Sequence, residues 1–450
     1  MKLRHWQVSA RRSRLAGALA MLLWCVSPLL APGAAAADAD AQVPMLLTFA
    51  TIVDGTGELV PGREIIVEHG VIVAIGTSLA ERYPGARPVD LSGLTAIPGL
   101  IDSHVHITYG LCGPSRGDAW HQLLRETPAP QRLVAAIGNA EKMLEIGVTT
   151  ARDLFALDQV DFYLRELIER GIVPGPRLFL SGTGIHPLVM PPAASGTEAE
   201  RIASLSQRAR EVADSGADWL KIFATTGTGS DLSGERVYYY PEIKAATDTA
   251  HAKGLRVAVH AYGPTAVPDA IRAGVDSIEH AVDVDDASLR AWAASGIFYV
   301  PTIDHNRYYA DHRNEYGYDA DAERALRAFI PRNVAMLRRA HAAGVPIAMG
   351  SDAVMTMFGD NTRELEWFVA AGMTPGEALR AATLNGARLL GQQDHLGRLA
   401  PGFAADIVAV TGQPLTDIRA VTRQVVWVMK AGEVVVDKRP LGEASGARGD

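Results

Sequence analysis

The sequence predicts an α/β protein: a (β/α)8 TIM-type barrel carrying a small β-sandwich built from both ends of the chain. Three observations predict it. From residue 98 to about residue 395, short apolar runs alternate with stretches of helical periodicity. Several of those runs close on a polar, ligand-type residue, as the C-terminal strand ends of a barrel do where they assemble an active site. Residues 43–97 and 396–440 read as β instead, and neither block is large enough to close a core well alone.

Residues 1–37 start with Lys2, Arg4, Arg11, Arg12 and Arg14. They continue through an apolar middle, Leu15 to about Leu30, and end on small residues from Gly33 to Ala37. That order predicts a secretory signal peptide. Pro28 and Pro32 interrupt an apolar run that is short for a membrane span, so no stable membrane anchor is expected. Richness in Ala, Gly and Arg points to a bacterial source, and export then means a periplasmic or secreted protein. Arg11-Arg12 leaves the Sec and Tat routes both open. Removing the segment takes the formal charge from −8 to −13, with no basic cluster left behind, which argues against nucleic acid as a partner. Of two cysteines only Cys112 remains, so no internal disulfide forms and stability must come from a large core.

The N-terminal β block comprises Leu46 to Val53, a turn at Asp54-Gly55-Thr56-Gly57, Glu64 to Glu68, and Val71 to Ile75 after the His69-Gly70 turn. The C-terminal block contributes Asp406 to Val410, Val425 to Met429, and Val434 to Val436. Between them the strand candidates are Ile101 to His106, Thr149 to Leu154, Arg177 to Ser181, Trp219 to Ala224, Arg256 to Ala261, Ser277 to Ala281, Phe298 to Ile303 and Pro346 to Asp352. The helices between them show apolar periodicity, as in Leu133, Ile137, Ala140, Met143 and Leu144. Glycines stand just past their ends, at Gly147, Gly171, Gly254, Gly274 and Gly344. No glycine-rich phosphate loop of the right spacing appears, which removes a dinucleotide-binding sheet as the alternative.

The chemistry concentrates on strand ends. His104 and His106 alternate with Val105, so on a strand they project from one side and can share a cation. Lys221, His260, His280 and Asp352 occupy the ends of later apolar runs.

The stretch Pro98-Gly99-Leu100-Ile101-Asp102-Ser103-His104-Val105-His106, followed in order by Lys221, His260, His280 and Gly350-Ser351-Asp352, resembles the metal-dependent amidohydrolase superfamily. Val259-His260-Ala261-Tyr262 and Ser277-Ile278-Glu279-His280 resemble its imidazolonepropionase-like branch, which includes Xaa-Pro and Xaa-Arg dipeptidases and carboxypeptidases. The resemblance implies two divalent cations, zinc first among them. His104, His106 and Asp352 would hold the more buried one and His260 and His280 the more exposed one, with a carboxylated Lys221 as the bridge. It also implies that Asp352 acts as base and then acid on a metal-bridging hydroxide. Tyr262 and His186 are candidate donors to the developing oxyanion. Barrels of this family often assemble, so a homo-oligomer is expected.

Specificity is expected on the loops after Lys221 and after the seventh strand. There Arg236, Tyr240, His305 and Arg307 are the substrate-binding candidates, the two arginines as carboxylate clamps. Trp120 and the loop tyrosines hint at a bulky or aromatic group. Asp102 and Glu279 are expected to orient ligands. The expected activity is cleavage of an amide bond in dipeptides or N-acyl amino acids. Alternatives are hydrolysis of aromatic amide toxins of the ochratoxin type, cyclic amides or lactones, or a catalytically silent metal-binding scaffold; Lys221 and Asp352 together argue against the last.

Overall fold

The computed structural model describes residues 43–109, 126–187 and 196–440. The segment read as a signal peptide, Cys112 and Trp120 lie outside the described residues. The described chain opens on strands β1 (Met45–Ile52), β2 (Glu64–Glu68), β3 (Val71–Gly76) and β4 (Arg87–Pro98). The alternating region contributes β5 (Leu100–Val105), β6 (Val148–Asp153), β7 (Arg177–Leu180), β8 (Trp219–Phe223), β9 (Arg256–Ala261), β10 (Ser277–His280) and β11 (Phe298–Val300). Strands β12 (Ile407–Val410), β13 (Val425–Lys430) and β14 (Glu433–Asp437) follow.

The strands from the two ends join in one continuous seven-stranded sheet of order β14-β13-β12-β4-β1-β2-β3. Its seam is β4, which pairs in parallel with β1 and antiparallel with β12, Ile97 facing Val408 and Ala96 facing Ala409. Alternation along these strands sends Leu47, Phe49, Ile65 and Ala96 into the same buried cluster as Ile407 and Trp427. Each end thus supplies half of a core that it cannot fill alone. A polar lock reinforces the seam. Asp54, buried in the turn after β1, accepts from Arg398 Nη2 at 2.7 Å, Arg398 Nε at 3.1 Å and the Leu399 amide at 3.2 Å. Next to it, a Cβ on Gly55 would lie 1.7 Å from the Gly397 carbonyl oxygen, so only glycine lets the two ends approach this closely.

The alternating region forms two parallel sheets, β5-β6-β7 and β8-β9-β10-β11. The helices between them are α1 (Ala129–Glu145), α2 (Val160–Glu169), α3 (Glu198–Asp214), α4 (Tyr240–Ala252), α5 (Val267–Ala273), α6 (Asp286–Ser295), α7 (Ile303–Asp311) and α8 (Ala320–Ala343). Thr197 and Glu200 cap α3 reciprocally, Asp285 and Asp319 cap α6 and α8, and left-handed glycines at 274, 296 and 344 end α5, α6 and α8. Ile185 exchanges hydrogen bonds with Lys221 and Phe223 of β8 at 2.8 and 3.0 Å.

Residues 346–352, expected as the eighth strand, run alongside the sheets without forming a regular strand; in place of a continuous ladder, isolated parallel bridges join Ile347 to Tyr299 and Ala353 to Val105. The segment hydrogen-bonds on both sides nonetheless. Ala348 donates to Tyr299 at 3.1 Å beside β11, while Ser103 donates to Met349 at 2.8 Å and Asp352 to His104 at 2.7 Å beside β5. Parallel sheets alternating with helices in this way fit a TIM-type barrel. Among the described residues no helix is long and apolar enough to cross a membrane.

Asp54→Ala should lower the thermal unfolding midpoint, since a half-buried guanidinium and an amide would lose their acceptor at a cost of about 1–3 kcal/mol. Arg324→Ala, which breaks only an exposed pair with Asp321, should cost under about 1 kcal/mol. Equal midpoints for the two variants would show that the seam does not depend on Asp54.

Candidate metal centre

The six ligand-type residues meet at one end of the two parallel sheets. His104 is on β5 and His106 just beyond it, Lys221 on β8, His260 on β9, His280 at the end of β10 and Asp352 on the segment beside β5. None exposes more than 7 % of its surface. Asp352 is their hub. Its Oδ1 lies 3.1 Å from His106 Nε2 and 3.5 Å from His104 Nε2, and its Oδ2 lies 3.3 Å from His305 Nε2 and 3.9 Å from His280 Nδ1. Lys221 Nζ is 3.4 Å from His104 Nε2, and the His260 and His280 ring centroids are 4.5 Å apart. His104, His280 and Asp352 offer ligand atoms all within 4.8 Å of one another.

Hydrogen bonds behind the rings decide where their lone pairs point. Glu279 Oε2 accepts from His104 Nδ1 at 2.8 Å, leaving the Nε2 lone pair toward Asp352 and Lys221. Thr302 donates its hydroxyl hydrogen to the Pro301 carbonyl at 2.8 Å and so accepts from His280 Nδ1 at 2.6 Å. His305 Nδ1 donates to the Asp352 carbonyl at 2.8 Å. Such partners fix the tautomer a metal-binding imidazole needs.

Electrostatics agree. Burial, reinforced by Lys221, holds His104 well below the usual imidazole range and His260 at about 3; burial and neighbouring imidazoles do the same for His280. Burial also brings the Lys221 amine down to about 8. Burial would raise Asp352, but the surrounding imidazoles of His305, His104 and His106 outweigh it and keep the carboxylate ionised.

This donor set fits a divalent cation. Asp352 Oδ1, His106 Nδ1 and His305 Nε2 are buried without a hydrogen-bond partner. Buried polar atoms are rarely left so unless something else satisfies them. Neutral imidazoles with a carboxylate and no thiolate suit zinc or a similar ion. Lys221 is fully buried, and no carboxylate among the described residues lies within ion-pair distance of it; Phe223 packs 4.8 Å from its amine.

The supporting shell contains residues the sequence reading did not single out. Arg152, fully buried, donates from Nε to the Ser103 carbonyl at 2.5 Å, from Nη1 to Ser277 Oγ at 3.0 Å and from Nη2 to Glu279 Oε1 at 3.0 Å. It therefore anchors the carboxylate that orients His104. The signal available was the charged pair Arg152-Asp153 closing a strand. Asp102 accepts from Ser351 Oγ at 2.6 Å and Asn361 Nδ2 at 2.9 Å, tying β5 to the segment that carries Asp352. His280, Thr302 and Asp352 all have positive φ, 74°, 54° and 53°, at a cost of about 1–3 kcal/mol each that the surrounding contacts must cover.

Above the cluster is a cavity of about 240 Å3. Tyr109, Phe223 and Tyr309 give it an aromatic wall, and Thr225, Thr228 and Asp231 line its polar side. His186 is in the wall, its ring 4.1 Å from that of Phe223. His305 also lines it, but against Asp352. The other substrate-binding candidates are placed elsewhere. Arg236 donates to the Thr265 carbonyl and pairs with Asp269 at 3.3 Å. Tyr240 starts α4 under the Arg272 guanidinium, 3.9 Å away. Arg307 forks onto Asp304 at 2.7 and 2.9 Å and reaches Asp311 at 2.7 Å. Tyr262 backs the centre: its ring stacks parallel to His260, and its hydroxyl donates to Asn306 Oδ1 at 2.5 Å.

Residues 95–435 match the amidohydrolase family. Over 421 residues the chain is 27% identical to ochratoxinase of Aspergillus niger, covering 85% of each protein. It is 24% identical over 422 residues to imidazolonepropionase of Geobacillus kaustophilus, covering 84% of this chain and 91% of that one. Among solved structures, a Xaa-Pro dipeptidase with methionine bound in its active site matches with a TM-score of 0.75 at 28% identity, over 87% of this chain and 99% of that one. The chain therefore belongs to the amidohydrolase family, in its imidazolonepropionase-like branch, and is a hydrolase of amide bonds.

Proposed function

We propose that this chain is an exported, binuclear amidohydrolase that cleaves an amide bond in dipeptides or N-acyl amino acids. The observation that carries the reading is the convergence of His104, His106, Lys221, His260, His280 and Asp352 beneath an aromatic-walled cavity. The likeness to a Xaa-Pro dipeptidase supports a dipeptide substrate. The charge and hydropathy order of residues 1–37 supports export. Hydrogen bonds from residues 346–353 to β11 and β5 support closure into an eight-stranded barrel, with the terminal sheet curled over its own cluster as a sandwich.

His104, His106 and Asp352 would hold one cation, His260 and His280 the second, and Lys221, once carboxylated, would bridge them. Bound there, the cations would lower the pKa of a water toward neutrality and polarise the scissile carbonyl. Asp352 takes the proton of the attacking water. As the carbon–nitrogen bond breaks it returns that proton to the leaving amine. Its ionised state in the fold suits the first step. His186, in the cavity wall, would donate to the developing oxyanion. Tyr262 would reach that oxygen only by releasing Asn306, so its part here is to hold His260. The aromatic wall also favours a second reading, hydrolysis of aromatic amides, to which the similarity to ochratoxinase adds.

Chelation followed by dialysis should abolish hydrolysis of a dipeptide and N-acyl amino acid panel. Zinc, manganese or cobalt should restore it as about two ions per chain are taken up. Full activity in a metal-free chain would sink the proposal.

Asp352→Asn should lower kcat by about 10²–10⁴ fold, with KM changed far less. A variant keeping near-normal kcat would remove Asp352 from the proton path.

Acid should destabilise the metal-free fold. The imidazoles of His104, His260 and His280 titrate below their unfolded value of about 6.5, so at these rings the unfolded chain gains protons first as the pH falls. The stability these rings contribute is thus fully present above about pH 6.5 and is lost progressively toward the folded value of about 3 for His260. Burial holds the carboxyls of Asp102, Asp153, Asp161 and Glu364 above their ordinary values and so opposes the rings over the same range. The share of one ring is therefore read by difference: from about pH 8 to about pH 4 the thermal midpoint of the unaltered chain should fall further than that of His260→Asn, and an equal change in both would mean that this ring does not titrate below its unfolded value.

A further inference from the structure

Among the described residues that line the cavity there is neither arginine nor lysine, and Arg236 and Arg307 are each held by acidic partners elsewhere. A substrate bearing a free carboxylate needs a cation from another element. Among the described residues Arg132, Arg363 and Arg380 have buried guanidinium nitrogens without a hydrogen-bond partner, and Arg132, on α1, is the one with two. Arg132 exposes 1 % of its surface, yet its Nε and Nη1 have no hydrogen-bond partner. Among the described residues its one ion pair runs from Nη2 to Asp158, whose side chain is 67 % exposed.

The helix explains where this guanidinium points. Arg132 heads the buried stripe of α1, followed by Ala136, Asn139, Ala140 and Met143, where the pattern otherwise calls for an apolar residue. Asn139, seven residues on and so on the same face, donates from Nδ2 to the Ile107 carbonyl at 2.9 Å, just past His106. Seven residues are about 10 Å of helix, and side chains lean toward the helix N-terminus. Arg132 therefore sits beyond the end of β5, on the side of Tyr109, which stacks on His106 and lines the cavity; Arg132 itself is not among the lining residues, so a carboxylate must pass Tyr109 to reach it. The charge of Arg132 reaches the Tyr109 phenol: burial, Asp153 and Asp352 push that group up, and Arg132 alone opposes them. No side chain caps the first turn of α1 and no acidic residue sits in it, so the helix dipole adds to the attraction for an anion.

We propose that Arg132, at the head of α1, receives the free carboxylate of the substrate through its unpartnered Nε and Nη1, with Asp158 as an exposed counter-ion competing for the same guanidinium. The proposal deepens the dipeptide reading and rests on it. Arg132 acts by binding, so its signature is a preference for the acid over the amide form of one peptide.

The test uses the metal-loaded full chain with alanyl-phenylalanine and its C-terminal amide. The unaltered protein should favour the acid by about a hundredfold in kcat/KM, and Arg132→Met should bring that ratio within about threefold of unity. Arg132→Met retaining the original ratio would overturn the proposal. Because a buried position is changed, Asp158→Asn, on an exposed residue, gives the second arm. Freed of its competitor, Arg132 should bind better, lowering KM for the acid about two- to fivefold and not for the amide. An unchanged or raised KM for the acid would overturn the proposal. If neither peptide is cleaved, the dipeptide reading fails on its own. Calorimetric titration with 3-phenylpropionate then decides the anion site: about tenfold weaker binding to Arg132→Met supports it, and equal binding overturns it.

Discussion

Glu279 is a buried carboxylate shared between a cation and an imidazole, and the centre depends on how it is shared. One oxygen takes Arg152 Nη2 and Ser277 Oγ, and the other takes His104 Nδ1. Burying two opposite charges costs several kcal/mol per ion, a cost recovered only where the remaining hydrogen-bonding capacity is filled. Here it is filled from three strands, since Arg152 also holds the Ser103 carbonyl of β5. An apolar pair of the same volume would pack as well. It would not set the His104 tautomer, nor fix the β5 backbone one residue before that ligand.

The same logic accounts for the strain at the strand ends. His280, Thr302 and Asp352 have backbones that L-residues seldom adopt. Each has a compensating contact: Thr302 receives the His280 ring, the Asp352 amide bonds to His104, and the Asp352 carbonyl receives His305. Gly350 has no room for a side chain, since a Cβ would fall 2.7 Å from that of His104. Backbone and ring geometry are thus set together, which leaves the lone pairs of neutral imidazoles around one ionised carboxylate. Acid destabilises this arrangement because each ring would have to accept a proton where burial opposes it.

Much of this was legible in the sequence, for physical reasons. Strand alternation predicts that His104 and His106 share a side, and strand-end placement predicts that Lys221, His260, His280 and Asp352 can meet. The terminal blocks read as β halves of one unit, but period-two alternation does not say whether strands continue in one sheet or divide between two. Loop arginines were harder. Arg307 lies three residues after Asp304 and four before Asp311, a spacing that pairs on a helix; read as a loop, the segment hid the ladder. Arg236 is drawn to Asp269 on α5, a partner no local pattern reveals. Arg132 and Arg152 escaped notice because a charged residue on a helix or at a strand end reads as solvent-facing until the fold shows that it is buried.

Those arginines also bear on substrate charge. Moving Arg307 to a substrate would strip it from two carboxylates, and one incoming carboxylate cannot return what two give up. Arg236 faces the same exchange against Asp269 and the Thr265 carbonyl. Arg132 differs because its single acidic partner is mostly in water, where an ion pair contributes roughly 0–1 kcal/mol, while two of its nitrogens are buried and unpartnered. A carboxylate arriving there would fill capacity already desolvated, rather than compete for capacity in use. Paired with an aromatic wall that gives purchase to an apolar side chain, a carboxylate site at Arg132 would select substrates by an apolar group and one negative charge, and would leave the amide between them to the neutral imidazoles and Asp352.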